Sequence, residues 1–164
     1  SSFSKKLCGK FRPGHFEAVV DVIDRFIKII KPKRIYFGEK DMQQLKIIDH
    51  FVKKNHSDIK VIGCKTIREK NGIPCSSRNL LLSLKQKVIA SKVYKLLKNK
   101  KQNLIRNKSG IIEIKRKILK LGVNKIEYIQ ILNTNKLIKP YIKNNKYKIF
   151  VAYYLGGTRL IDNI

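Results

Sequence analysis

Apolar residues at Phe16, Val19, Val20, Ile23, Phe26, Ile27 and Ile30 recur every three or four positions, so one helical face carries them all, and the pattern stops at Lys31-Pro32. Ile35-Tyr36-Phe37 is a short apolar run ending at Gly38, which predicts a buried strand. Leu45, Ile48, Phe51 and Val52 return to helical spacing, and Ile59 to Ile62, closed by Gly63, predicts a second strand. Strand, helix and strand in so short a stretch imply a right-handed parallel crossover, part of an α/β sheet.

The character changes after Asn71-Gly72, a turn signal that leads into the polar loop Pro74-Cys75-Ser76-Ser77-Arg78-Asn79. A second lobe is expected beyond it, so the chain divides into 1–72 and 73–164. Ser83 and Gln86 have capping-box spacing and open a helix through Val88, Ile89, Val93, Leu96 and Leu97. Another helix is expected from about Ser109, with Ile111, Ile114, Ile118 and Leu121 inward and Gly122 at its C-terminal end. Lys125 to Leu132, Lys148 to Leu155 and Thr158 to Ile161 read as strands of a small antiparallel sheet.

With 164 residues, 43% of them hydrophobic, the chain can bury a core as one domain or as two small lobes. Lys and Arg number 38 against 11 Asp and Glu, a net charge of +27, which points to a polyanion partner. That pointer is weakened by distribution: the lysines run from Lys5 to Lys148 among abundant Ile and Asn, as A/T-rich codons favour, and a charge run is usually a solvated face. The densest run, Lys98 to Lys101, suits a helix end and the loop after it.

Cys8, Cys64 and Cys75 form no CxxC pair and are odd in number, which argues for a reducing, cytoplasmic setting rather than a disulfide framework. His15, His50 and His56 lack metal-ligand spacing, so no structural zinc is expected. No apolar stretch reaches membrane-spanning length and Ser1-Ser2-Phe3-Ser4 has no signal-peptide core; the missing initiator Met suggests a start inside a longer protein.

Three segments could carry chemistry. Gly38-Glu39-Lys40-Asp41 lies at a strand end before a helix, where ligands of open α/β sheets bind. Glycine there admits a phosphate close to the backbone, the helix N-terminus adds partial positive charge, and lysine a full one. A helix starting near Lys40 would put Lys40 and Gln44 on one face; the plainer alternative is a surface turn capped by Asp41. Ser76-Ser77-Arg78 offers two hydroxyls and a guanidinium, a phosphate clamp or, equally, an N-cap with a surface arginine. Gly14 breaks the chain so that Arg12 and His15 project from a loop, or else Phe11 and Phe16 form a staple at the helix entry. There is no Walker A loop and no GxGxxG.

In combination, "GKFRPGHFEAVV", "YFGEKDMQQL", "TIREKNGIPCSSRN" and "GTRLIDNI" resemble, in order and separation, the pantothenate synthetases (pantoate:β-alanine ligases), from about Leu7 to the terminus. The resemblance implies an α/β fold: a partial Rossmann-like, nucleotidyltransferase-type parallel sheet followed by a small α+β lid lobe with antiparallel strands. It also implies an ATP- and Mg²⁺-dependent enzyme that adenylates pantoate, releases pyrophosphate, and lets β-alanine displace AMP to give pantothenate. By matching motif, Gly38, Glu39, Lys40 and Asp41 are expected at ATP, with Lys40 at the phosphates, and Gln44 at pantoate. Ile67 is expected against the nucleotide, Cys75, Ser76, Ser77 and Arg78 around the phosphates, and Arg12 and His15 near the active site. Cys75 stands where Met or Leu is usual, and Lys65 where Pro is common. The family's HxGH segment and a further substrate glutamine have no counterpart, so the chain is expected to be a C-terminal portion that does not turn over alone. A homodimer of the full-length enzyme is implied, with no membrane role. The rival readings are a basic nucleic-acid-binding module, which lacks an Arg-and-aromatic surface motif, and a structural or dimerisation fragment.

Overall fold

The computed structural model describes residues 6–106, 110–134 and 147–164, and the chain separates into two units, Ser1–Lys65 and Thr66–Ile164. In the first unit a short helix α1 (Cys8–Phe11) precedes α2 (His15–Ile30), β1 (Arg34–Gly38), α3 (Met42–Asn55) and β2 (Lys60–Cys64). The apolar stripe that starts at Phe16 is α2. It ends where Lys31, in the left-handed region at φ 50°, donates its N–H to Ile27 O at 2.8 Å, and Pro32 then forbids another turn.

β1 and β2 pair in parallel from Arg34 opposite Lys60 to Gly38 opposite Cys64, with α3 as the crossover. Ile48 and Val52 of α3 are fully buried against Ile27 and Ile59, and this small core fixes helix against sheet. At the far end of α3, His56 Nε2 lies 2.8 Å from Asp24 Oδ1. Hydrogen bonds from Lys28 and then His56 hold the Asp24 carboxyl below its ordinary value. Ile23, Phe26, Ile30, Ile35 and Phe37 line an open apolar groove of about 400 Å³ along α2 and β1, and Ile30 is 65% exposed. Among the described residues β1 pairs only with β2.

The second unit runs through α4 (Leu84–Arg106), α5 (Gly110–Lys120), β3 (Lys125–Asn133), β4 (Tyr147–Leu155) and β5 (Thr158–Asn163), the strands forming an antiparallel sheet in the order β3-β4-β5. Val93 and Leu97 of α4 and Ile118 of α5 pack on Ile149, Val151 and Leu155 of β4, all nearly inaccessible to solvent. The predicted capping box forms: Ser83 N–H donates to Gln86 Oε1 at 2.9 Å and Gln86 N–H to Ser83 Oγ at 3.2 Å. Gly122 takes φ +101° past the end of α5, the conformation that favours glycine at that place. Ser109, the expected start of this helix, lies outside the described residues.

Two expectations are corrected. Lys98 to Lys101 is not a helix end: α4 continues to Arg106 because Leu104, one heptad beyond Leu97, is also buried. Residues 66–72 belong with the second unit rather than the first. Arg68 hydrogen-bonds Asp162 there, and Ser91 Oγ donates to Asn71 O at 2.7 Å.

A buried ion pair crosses the sheet. Arg159 donates through Nε and Nη2 to Glu127 at 2.6 to 3.0 Å, and Tyr154 donates its hydroxyl to Glu127 Oε1 at 2.9 Å. Burial pushes the Glu127 carboxyl up, but these donors outweigh it and hold the group below its ordinary 4.5. A depressed folded pKa contributes stability above the unfolded value, and that contribution fades as pH falls from 4.5 through the folded value. Glu127→Gln is therefore expected to cost about 3 kcal/mol at pH 7 in urea unfolding and to flatten the stability loss below pH 4.5.

Candidate functional site

In the first unit the strand β1 delivers Gly38 to the end of the sheet. Its backbone is ordinary extended chain (φ −67°, ψ 131°), and a Cβ built there meets no atom within 4 Å. Neither conformation nor packing demands a glycine, so the open space over its backbone is what the missing side chain preserves. Glu39–Asp41 then forms a single 3₁₀ turn, and the α-helix starts only at Met42. Lys40 and Gln44 are thus not two positions of one continuous α-helix, as the spacing suggested: Asp41, at φ −97° and ψ 51°, breaks the helical backbone between them. Asp41 makes no side-chain cap hydrogen bond. Its Oδ2 lies 3.5 Å from Lys40 Nζ instead, with the Lys40 side chain only 18% exposed and Asp41 46%.

The two glutamines of this segment divide their tasks. Gln44 is half-buried on α3, whereas Gln43 is 5% exposed and hydrogen-bonded to the N-terminal segment. Its Nε2 donates to Lys6 O at 2.7 Å and its Oε1 accepts from Cys8 N–H at 3.1 Å. Sequence reasoning passed over Gln43; the signal available was the doubled glutamine at a helix start, where one faces in. Arg12 Nη1 lies 3.0 Å from Nε2 of His15, the first residue of α2. Of the two aromatic residues at the helix entry, Phe16 is buried and Phe11 is 43% exposed.

In the second unit the chain folds back on itself between Ile67 and Cys75. Cys75 N–H donates to Ile67 O at 3.0 Å, Glu69 N–H to Ile73 O at 2.9 Å, and Arg68 bridges Pro74 in antiparallel fashion. Ser76 caps a 3₁₀ helix over Ser77–Leu81, its Oγ accepting from Arg78 N–H at 3.2 Å. The N-cap reading is therefore correct for Ser76, and Ser77 and Arg78 remain exposed beside it, as do Cys75 and Ile67. Beneath them Asn79, 6% exposed, donates through Nδ2 to Glu69 Oε1 at 2.7 Å and to Pro74 O at 3.0 Å. Asn79 is the bolt under the loop, a task that its place in the motif does not announce.

Each unit thus presents one cationic side chain beside a polar turn: Lys40 with the Gly38 backbone in the first, Arg78 with Ser77 in the second. Such groups bind oxyanions by charge-assisted hydrogen bonds. Among the described residues no three His, Cys, Asp or Glu side chains come together as a metal cage. No helix among them is long and apolar enough to cross a membrane.

Comparison with known proteins gives a consistent result. The sequence model of the family described as pantoate-beta-alanine ligase matches residues 1–164. The pantothenate synthetase of Sulfurihydrogenibium sp. is 40% identical over 174 residues, covering 100% of this chain and 60% of the relative. That of Thermodesulfovibrio yellowstonii is 39% identical, covering 98% and 59%. The chain therefore spans about three-fifths of the length of these curated relatives. Among solved structures, the pantoate-beta-alanine ligase of Francisella tularensis, complexed with beta-gamma ATP and beta-alanine, superposes with TM-score 0.80 at 36% identity, covering 100% of this chain and 55% of that one. The pantothenate synthetase of Thermus thermophilus superposes with TM-score 0.81 at 29% identity, covering 100% of this chain and 60% of that one.

The two glutamines should separate cleanly in stability. Gln43→Ala orphans a buried N–H and a carbonyl and is expected to cost about 1–3 kcal/mol in urea unfolding, whereas Gln44→Ala should stay within about 0.5 kcal/mol of the wild type.

Proposed function

Because the chain belongs to the pantoate-beta-alanine ligase family, we propose that it forms the part of an ATP-dependent ligase that binds ATP phosphates and pantoate, in a reaction joining pantoate to β-alanine. The observation that carries this reading is the open space beside the Gly38 backbone, followed two residues on by Lys40, whose ammonium lies 3.5 Å from Asp41 Oδ2. An atom placed where the Gly38 side chain would start meets no protein atom within 4 Å, which leaves the backbone open to a phosphate oxygen.

In this reading the pantoate carboxylate attacks the α-phosphorus of ATP and pyrophosphate leaves. The amine of β-alanine then attacks the acyl carbon of the pantoyl-adenylate, the acyl–oxygen bond breaks, and pantothenate and AMP are formed. The chain's work is to align reactants and neutralise the charge that develops on phosphate oxygens. In the first unit Lys40 supplies a full positive charge for a phosphate, with Glu39 and Asp41 in the same turn; in the second, Ser77 and Arg78 offer hydrogen-bond donors to phosphate oxygens. Ser76, whose Oγ is used in its cap, holds the loop's shape. Ile67 offers apolar contact to the nucleotide, Cys75 belongs to the loop around the phosphates, and Gln44 donates to pantoate from α3. Arg12 and His15 border the site without an assigned chemical step.

Mg²⁺ fits this donor set only as a companion of the nucleotide, since the described carboxylates do not gather into a cage. When bound it screens the phosphate charge. Pairing of two chains through the first unit, and a cytoplasmic setting, belong to the same proposal; sedimentation over a range of concentrations reads the pairing.

Titration of the chain with a non-hydrolysable ATP analogue, followed by heat release, tests the reading. Saturable binding is expected, weakened about tenfold or more in Lys40→Ala and in Ser77→Ala. Gly38→Ala should unfold within about 0.5 kcal/mol of the wild type yet lose the analogue, because its methyl group projects into the ligand's space. A folded chain that ignores the analogue, or one whose Lys40→Ala and Ser77→Ala variants bind like the wild type, would overturn the reading.

A further inference from the structure

The Arg68–Asp162 pair lies outside the residues assigned to ligands, yet it sets where several of them stand. Nη1 of Arg68 donates to Asp162 Oδ2 at 2.8 Å and to Gly72 O at 3.0 Å; Nη2 donates to Asp162 Oδ1 at 2.9 Å and to Asn163 O at 3.2 Å. The guanidinium carbon also sits 4.4 Å from the centroid of the Tyr94 ring. Asp162, with its side chain 8% exposed, further accepts Asn163 N–H at 2.7 Å. Gly72 closes the turn at φ +91°, where an added Cβ would lie 2.4 Å from the same Tyr94 ring.

The cluster ties one backbone segment, residues 67–75, to the end of β5. Ile67 precedes Arg68, Pro74 bridges it, and Cys75 follows Pro74 and returns its N–H to Ile67 O at 3.0 Å. The exposed run from Cys75 to Arg78 therefore springs from a hairpin whose base is bolted to β5. Lysine cannot replace the bolt, because it offers a point charge where two carboxylate oxygens and two carbonyls are met by one planar fork.

We propose that Arg68 and Asp162 are a positioning pair for polyphosphate recognition: they fix the hairpin so that Ser77, Arg78 and the loop N–H groups meet the phosphates, without themselves touching the ligand. The proposal rests on the phosphate-binding reading of Ser76 to Arg78 given above, and the two can fail separately.

The test uses Arg68→Lys, with the isosteric Asp162→Asn in its place if the first does not fold, and Ser77→Ala as reference. Amide hydrogen exchange is followed at Glu69 and Cys75, and at Val93 and Val151 in the core, alongside affinities for a non-hydrolysable ATP analogue and for adenosine. In Arg68→Lys, exchange at Glu69 and Cys75 should rise about tenfold with Val93 and Val151 unchanged, and ATP-analogue affinity should fall about tenfold with adenosine affinity unchanged. Unchanged exchange at Glu69 and Cys75 overturns the proposal. So does a parallel loss of ATP and adenosine affinity with faster exchange in the core, which marks a general loosening. A wild-type chain that binds no ATP analogue, or a Ser77→Ala variant that binds it normally, overturns the phosphate reading and removes this role with it, whatever the exchange rates show.

Discussion

The second unit is closed by a contact between its two ends: Arg68 near its start and Asp162 near its finish meet in a bidentate ion pair across 94 positions of sequence. Burial works against the Arg68 charge, and the Asp162 carboxylate more than compensates, so the guanidinium holds its proton more tightly than usual. A buried pair of this kind is worth little over an apolar substitute but a great deal over either partner alone. Its consequence is geometric. The hairpin over residues 67–75 cannot drift relative to the sheet, and the Ser77–Leu81 turn inherits that placement.

The first unit solves a similar problem with apolar packing. Ile48 and Val52 of α3 are sealed against Ile27 and Ile59, so the helix that follows Gly38 leaves the sheet in one direction only. The tight 3₁₀ turn between strand and helix is what presents Lys40 as a side chain 18% exposed. Gln43 then ties the N-terminal segment to the start of α3.

Much of this was legible in the residues. The period of Phe16 to Ile30, the Gly38 and Gly63 strand ends, the Ser83–Gln86 box and Gly122 are local signals, and each element they announce is present. What could not be read depends on contacts distant in sequence. The division at Lys65 rather than Gly72 follows from Arg68 reaching Asp162, and no window of neighbouring residues contains both. The extension of α4 past Lys98 depends on Leu104 finding a core, and the 3₁₀ turn at Lys40 on a competition between two helical windings that propensity does not decide. In the candidate site the exposed residues were named from their motifs, while the buried amides Gln43 and Asn79 that hold them were passed over, since polar side chains near a motif look alike until burial separates them.

The apolar groove along α2 and β1 sets up an unusual response to salt. Ile30 and Tyr36 are more than half exposed beside a strand edge that pairs on one side only among the described residues, a surface to which other strands add readily. A net charge of +27 holds copies apart at low ionic strength, where the screening length is about 30 Å at 0.01 M. At 1 M that length is about 3 Å, and the repulsion no longer reaches across the gap. Added salt therefore removes the long-range repulsion and leaves the apolar side chains of the groove as they are, so the balance between charge and apolar contact at this surface shifts with ionic strength.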